Sequence, residues 1–190
     1  MVDVKSVANP LFLREEELRQ AIEMLFFAYR DFTGGPDEML AEIGLGRAHH
    51  RVIYFVGRNP GITVSELLKI LRITKQSLSR VLSHLVEEEF IIQTPGERDR
   101  RQRLLTLTQK GVELERRLTA DQRERIADAF RKAGADAVQG FKLVLHGIID
   151  APDRERFDVS GGPTHAPVAR VGNKIAGDKM TGTKIAGIKR

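Results

Sequence analysis

Apolar residues return every three or four positions along most of this chain, the repeat of a helix with one buried face. Between Arg14 and Phe32 the set is Leu18, Ala21, Ile22, Leu25, Phe26, Tyr29 and Phe32, and Gly34-Gly35-Pro36 reads as its stop signal. A second stretch, Gly46 to Gly57, turns Ala48, Val52, Ile53, Phe55 and Val56 inward and leaves Arg47, His50 and Arg51 outside. Asn59-Pro60-Gly61 then makes a turn.

The next segment carries two start signals close together. Thr63-Val64-Ser65-Glu66 is a capping box, in which a hydroxyl and a carboxylate satisfy each other's free backbone amides, and Ile62 with Leu67 forms the accompanying staple. The helix it starts holds Leu67, Leu68, Ile70 and Leu71 before Thr74, with Ile73 and Leu78, starts another. That second helix, Thr74 to about Glu88, buries Leu78, Val81, Leu82, Leu85 and Val86 and presents Gln76, Ser79, Arg80 and Ser83 on its other face. Phe90-Ile91-Ile92-Gln93-Thr94 and Leu104-Leu105-Thr106-Leu107 predict a β-hairpin around a charged tip that opens at Pro95-Gly96. Beyond Thr108, Val112, Leu114, Leu118, Ile126 and Phe130 predict a helix to about Lys132. After a break at Gly134, Ala137, Val138, Phe141, Val144, Leu145 and Ile148 predict a last one.

Two helices about a short turn, followed by a basic hairpin, make a winged helix-turn-helix. The fold class is therefore mainly α with a small β-hairpin wing. Arg can fork onto guanine and Gln onto adenine, while Ser and Thr reach bases or phosphates, so the stripe of Gln76, Ser79, Arg80 and Ser83 suits a major groove. Thr74, Lys75 and Ser77, at the helix start, suit phosphates. In the hairpin, Arg98, Arg100, Arg101 and Arg103 stand among Glu97 and Asp99. Guanidinium groups on such a tip fit the negative potential of a narrow minor groove. A polar stripe is also the wet face of many helices, and the adjoining Arg-rich tip is what favours DNA here.

Composition narrows the remaining classes. The chain has 190 residues, 41% of them hydrophobic and 30% charged, which is the make-up of a folded protein of one ordinary domain with some excess. No apolar run approaches the ~18 residues of a membrane span, and Met1-Val2-Asp3-Val4-Lys5 does not read as a secretory leader, so a cytoplasmic protein without a membrane partner is expected. With no cysteine there is no disulfide, thiolate metal site or thiol chemistry. Residues 151–190 hold eight Lys/Arg against four acids, most of the net +5, and glycine recurs there. A flexible, weakly basic tail is expected over that stretch.

The resemblance to a known family rests on particular residues. Ile62-Thr63-Val64-Ser65-Glu66-Leu67, the run Thr74-Lys75-Gln76-Ser77-Leu78-Ser79-Arg80-Val81-Leu82, and Asp99-Arg100-Arg101 followed by Leu104-Leu105-Thr106-Leu107-Thr108 resemble the MarR family of bacterial transcriptional regulators. The Leu-Thr-x-x-Gly pattern of Leu107, Thr108 and Gly111 belongs to the same likeness, which runs from about residue 14 to 150. The segment Arg47-Ala48-His49-His50-Arg51-Val52 to Asn59-Pro60-Gly61 is similar to its PetP-like subgroup. The resemblance implies an obligate homodimer joined by N- and C-terminal helices; a two-fold dimer predicts a palindromic operator, with repression expected ahead of activation. It assigns Gln76, Ser77, Ser79 and Arg80 to the major groove, Arg100 or Arg101 to the minor groove, and to Asp99 an ion pair that orients the wing arginine. It also implies residues 1–45 for dimerisation, 46–108 for the winged domain and 109–150 for further dimerisation helices, while the expected tail, 151–190, has no counterpart in the family. Where the family often has a glycine after the recognition helix, this chain has Glu87-Glu88-Glu89.

The family often senses a small aromatic or anionic effector, for which Phe26, Tyr29, His49, His50, Arg51 and Tyr54 are the candidate pocket here. The same aromatics serve equally as ordinary core. Adjacent histidines on a helix cannot share one ion, and neither His84 nor His146 stands four residues from another histidine, so no metal or cofactor is expected. HExxH, G-x-S-x-G and G-x-G-x-x-G are all missing, and Gly44-Leu45-Gly46 lacks the third glycine, so no enzyme is expected either. The alternative function is a dimeric winged-helix interaction module gripping an acidic partner, which sequence preference would separate from base reading.

Overall fold

The computed structural model describes residues 13–97 and 99–157. In chain order the elements are α1 (Glu15–Ala41), α2 (Arg47–Arg58), β1 (Ile62–Thr63), α3 (Val64–Leu71), α4 (Lys75–Glu87), β2 (Ile91–Pro95), β3 (Arg103–Leu107), α5 (Gln109–Ala133), α6 (Ala135–Ile148) and α7 (Ala151–Arg154). The described residues up to Ala135 form one compact unit and those from Asp136 a second.

The core of the first unit lies where α2, α3, α4, α5 and the sheet converge. Val52, Ile53 and Val56 of α2 meet Leu67 of α3, Leu78, Leu82 and Leu85 of α4, Ile91 and Leu105 of the sheet, and Leu114 and Leu118 of α5. Both start signals of the helix-turn-helix are present as built. Thr63 accepts from the Glu66 amide at 3.2 Å while the Glu66 carboxylate accepts from the Thr63 amide at 2.8 Å. Those bonds hold the Glu66 carboxyl below its ordinary pKa. Thr74 accepts from the Ser77 amide at 3.1 Å, and the short turn between the two helices places Arg72 in the left-handed region at φ 50°.

The sheet has three strands rather than the two of the expected hairpin. β3 is central, pairing antiparallel with β2 from Ile91↔Leu107 to Pro95↔Arg103 and with β1 at Ile62↔Leu105 and Thr63↔Leu104. Ile62 and Thr63 thus serve both as staple and cap of α3 and as a strand. Pro95, which has no amide to donate, sits on an edge strand where none is missed.

Gly34-Gly35-Pro36 does not end the first helix, which runs through it to Ala41. Pro36 cannot bond the carbonyl four residues back, that of Phe32. The Gln122 side chain of α5 takes that place, its Nε2 donating to the Phe32 oxygen at 3.1 Å. Gly35 faces α5, and a Cβ there would stand 3.1 Å from the Asp121 carboxylate. His50 also departs from expectation. It faces inward with 8% exposure, and burial pushes its pKa down, with Asp37 of α1 acting against that push.

α4 ends in a Schellman motif: the Phe90 amide bonds the Leu85 carbonyl at 2.8 Å and the Glu89 amide bonds that of Val86 at 3.0 Å. Glu89 occupies the left-handed position, φ 60°, that a glycine would fill without strain. The following Leu-Thr-x-x-Gly pattern has a local cause. Thr108 caps α5 by accepting from the Gly111 amide at 3.0 Å, and its hydroxyl donates to the Glu89 carbonyl at 2.6 Å. Gly111 is pressed onto the Phe90 carbonyl so closely that a Cβ would lie 2.1 Å from the oxygen.

In the second unit, α6 is followed by the short α7, so the segment expected as a flexible tail from residue 151 begins as a helical turn. Arg154 donates to the carbonyls of Ile149 at 2.6 Å and Gly147 at 3.0 Å, occupying the free acceptors at the end of α6. The remainder of the expected tail, residues 158–190, lies outside the described residues.

Candidate nucleic-acid interface

The first turn of α4 is built by Thr74 and Ser77. Their hydroxyls lie 2.8 Å apart, so both are partly engaged in the cap. From that turn Gln76, Ser79, Arg80 and Ser83 follow at helical spacing, and all four are exposed, as are Thr74, Lys75 and Ser77. The apolar face of the same helix, Leu78, Leu82 and Leu85, is sunk in the core. Burial of one face therefore fixes the presentation of the other. Arg80 makes no ion pair among the described residues and extends from the middle of the stripe with its donors available.

The C-terminal half of α4 is of opposite character. A groove between it and β2 is lined by Ser83, Val86, Glu87, Glu89, Ile91, Ile92, Gln93 and Thr108. Lys110 of α5 donates to the Glu88 carbonyl at 2.6 Å and stands over the Phe90 ring, which ties the acidic run to α5. Carboxylates repel phosphate, so the surface suited to a polyanion is the N-terminal half of α4, where the helix dipole is also positive.

At the wing, β2 and β3 are closed by two backbone bonds, Gly96 amide to Gln102 carbonyl at 3.0 Å and Gln102 amide to Asp99 carbonyl at 3.0 Å. Gly96 is required there, because a Cβ would stand 2.9 Å from the Asp99 carbonyl oxygen. The Asp99 carboxylate accepts from the backbone amide of Arg101 at 2.9 Å. That bond is to the main chain and not to a guanidinium, so Asp99 shapes the turn that carries the arginines. Arg100, Arg101 and Arg103 are all exposed, and Arg98 lies outside the described residues.

The six residues considered for an effector lie on α1 and α2. Phe26 and Tyr29 are exposed on α1, Phe26 against Phe27 and Tyr29 under the Arg47 guanidinium at 5.6 Å. Arg47 in turn forms an ion pair with Asp37 of α1. His50 is buried, Arg51 exposed, and Tyr54 stacks edge-on against Phe55. His49 faces His84 of α4. Neither that contact nor the Gln122 bond to Phe32 has a signature in sequence, since each joins residues far apart in the chain. Among the described residues no group of three metal-ligating side chains occurs, and no helix is long and apolar enough to cross a membrane.

Comparison with known proteins gives concordant results. The sequence profile of the MarR family matches residues 43–102. The HTH-type transcriptional regulator PetP of Rhodobacter capsulatus is 48% identical over 149 residues, covering 78% of this chain and 90% of that protein. Among solved structures, a crystal structure of MarR superposes with a TM-score of 0.55 and 26% identity over 75% of this chain and 95% of that one. Streptococcus pneumoniae FabT in complex with DNA superposes with a TM-score of 0.58 and 21% identity, over 69% of this chain and 94% of that one.

Proposed function

The chain belongs to the MarR family of DNA-binding transcriptional regulators, and from that premise we propose that it binds a two-fold symmetric operator as a homodimer and represses by occupying it. The observation that carries this is the exposed stripe of Gln76, Ser79, Arg80 and Ser83 on a helix whose other face is locked in the core. Arg80 and Gln76 read base edges in the major groove, while Thr74, Lys75 and Ser77 hold phosphates. Arg100, Arg101 and Arg103 on the wing engage the adjoining minor groove and backbone.

The dimer is supported by apolar surface that is exposed among the described residues. Ile22, Leu25, Phe26 and Tyr29 of α1 are each at least half exposed, and so are Leu143, Val144 and Ile148 of α6. A lone chain rarely leaves so much apolar surface in water, and a two-fold partner would bury it. The two recognition helices would then meet half-sites about one helical turn apart, roughly 34 Å. No effector site is part of this proposal.

Selection from a pool of random duplexes tests the function directly. An enriched inverted repeat with half-sites one turn apart is the expected result. Enrichment of no sequence, with binding set by salt alone, would contradict it.

A further inference from the structure

One polar contact between α2 and α4 belongs neither to the apolar packing nor to the outward stripe. His49 Nε2 on α2 lies 3.1 Å from His84 Nδ1 on α4, with the rings edge to face and their centroids 5.1 Å apart. The other nitrogen of His49, Nδ1, accepts from the Gly46 backbone amide at 3.1 Å and so closes the start of α2. A backbone amide only donates, so Nδ1 of His49 carries no proton, and neutral His49 keeps its hydrogen on Nε2. His49 therefore donates to His84, whose own hydrogen sits on Nε2. The result is a directed relay from Gly46 through His49 to His84 in the last turn of α4.

Protonation breaks this relay at either ring. A proton added to His84 goes to Nδ1 and confronts the Nε2–H of His49. One added to His49 goes to its Nδ1 and confronts the Gly46 amide. A metal ion between the two rings fits less well, since His49 would have to lose its Nε2 proton while Nδ1 still accepts from Gly46, leaving an imidazolate.

The surrounding charges leave the pair to itself. On α1, Asp37 is paired with Arg47 and acts on His50, the next residue of α2. Arg80 and Glu88 stand one turn either side of His84 on α4, and α5 brings Glu115 against Gly57, two turns from His49. Burial, and then the charge of His84, hold the His49 pKa below the ordinary histidine value. The neutral, bonded form is thus the resident one near pH 7.

We propose that His49 and His84 are positioning residues for DNA binding: their hydrogen bond sets where the end of the recognition helix rests on α2, and a proton on His84 Nδ1 releases it. This rests on α4 being the recognition helix. The direction is opposite to that of charge alone, because acid adds positive charge and strengthens attraction to phosphate.

The test has two arms. In the first, affinity for the duplex selected from the random pool is measured from about pH 7.5 to about pH 5.5 at fixed salt, across the ordinary range of histidine titration. Wild type is expected to weaken about tenfold, the worth of one ordinary hydrogen bond. His84→Phe, which has no acceptor, is expected to start weaker and fall no further. His84→Asn, which keeps an acceptor near Nδ1 and takes no proton, is expected to bind more tightly than His84→Phe and to show no fall. Wild-type affinity that is flat or rises on acidification would overturn the proposal, as would a wild-type profile in His84→Asn. In the second arm, NMR of the histidine ring nitrogens in the free protein should find His49 protonated at Nε2 and its titration altered by His84→Asn. Rings that titrate independently would overturn the proposal even if DNA binding is normal. A coupled pair in a protein that binds no duplex at any pH would instead overturn α4 as the recognition helix, and the proposal with it.

Discussion

Individual residues at the two ends of α4 account for most of what is special about this chain. Glu89 is a non-glycine residue in the left-handed region, at φ 60°, and it adds an acidic group where the helix dipole is already negative. Glu89→Gly is therefore expected to raise stability by up to about 1 kcal/mol in urea unfolding, and an unchanged or lower midpoint would contradict the strain. Gly111 is the opposite case. A Cβ 2.1 Å from the Phe90 carbonyl oxygen cannot be accommodated without moving α5 or the strand. Gly111→Ala is expected to destabilise by about 3 kcal/mol or more, and a loss below about 1 kcal/mol would mean the helix start is freer than its packing indicates. The caps at Thr63 and Thr74 were legible in sequence because a cap is a contact between residues three apart. The same locality made the Thr108 and Gly111 pattern visible before its cause was.

Elements were legible where their signals are local and misread where a distant group overrules them. Gly34-Gly35-Pro36 has the composition of a helix stop, yet α1 continues, and Gln122, 90 positions from Phe32, supplies the Phe32 carbonyl with the bond that Pro36 cannot. Gln122→Leu is expected to leave the Phe32 carbonyl without a partner and to cost about 1–3 kcal/mol. Hydrogen exchange should show the loss concentrated in α1 beyond Thr33. A loss spread evenly over the chain, or none, would contradict this account of the continued helix. β1 escaped sequence reasoning for a related reason, since a two-residue strand has no periodicity and exists only by its pairing with β3. His50 was placed outside because its neighbours Arg47 and Arg51 mark a polar face, but helical geometry carries it inward beside Val52 and Ile53. The paired His49 and His84 show the same limit, for nothing in the spacing of 35 residues announces a contact.

For the whole molecule, the helix-turn-helix and its wing were legible in sequence, and the assembly only by inference from exposed apolar faces. The N-terminal half of α4 presents an exposed polar stripe, and Arg100, Arg101 and Arg103 of the wing are exposed. Sedimentation equilibrium is expected to give twice the 21.3 kDa mass of the chain. A monomer at micromolar concentration would remove the two-fold operator from the proposal. The acidic end of α4 limits the footprint to one side of the helix, so specificity should rest on few side chains. Arg80 is the one best placed among them, with its donors free and its stem anchored on a rigid helix.

The most direct measurement compares wild type, Arg80→Ala and the double variant Arg100→Ala/Arg101→Ala by fluorescence anisotropy on the selected duplex and on a scrambled duplex, at several salt concentrations. Arg80→Ala is expected to lose about 1–3 kcal/mol on the selected duplex and little on the scrambled one. The wing variant is expected to weaken on both and to flatten the salt slope by about one to two per wing. Equal losses on both duplexes for Arg80→Ala, with an unchanged salt slope for the wing variant, would contradict base reading by α4 and phosphate contact by the wing together.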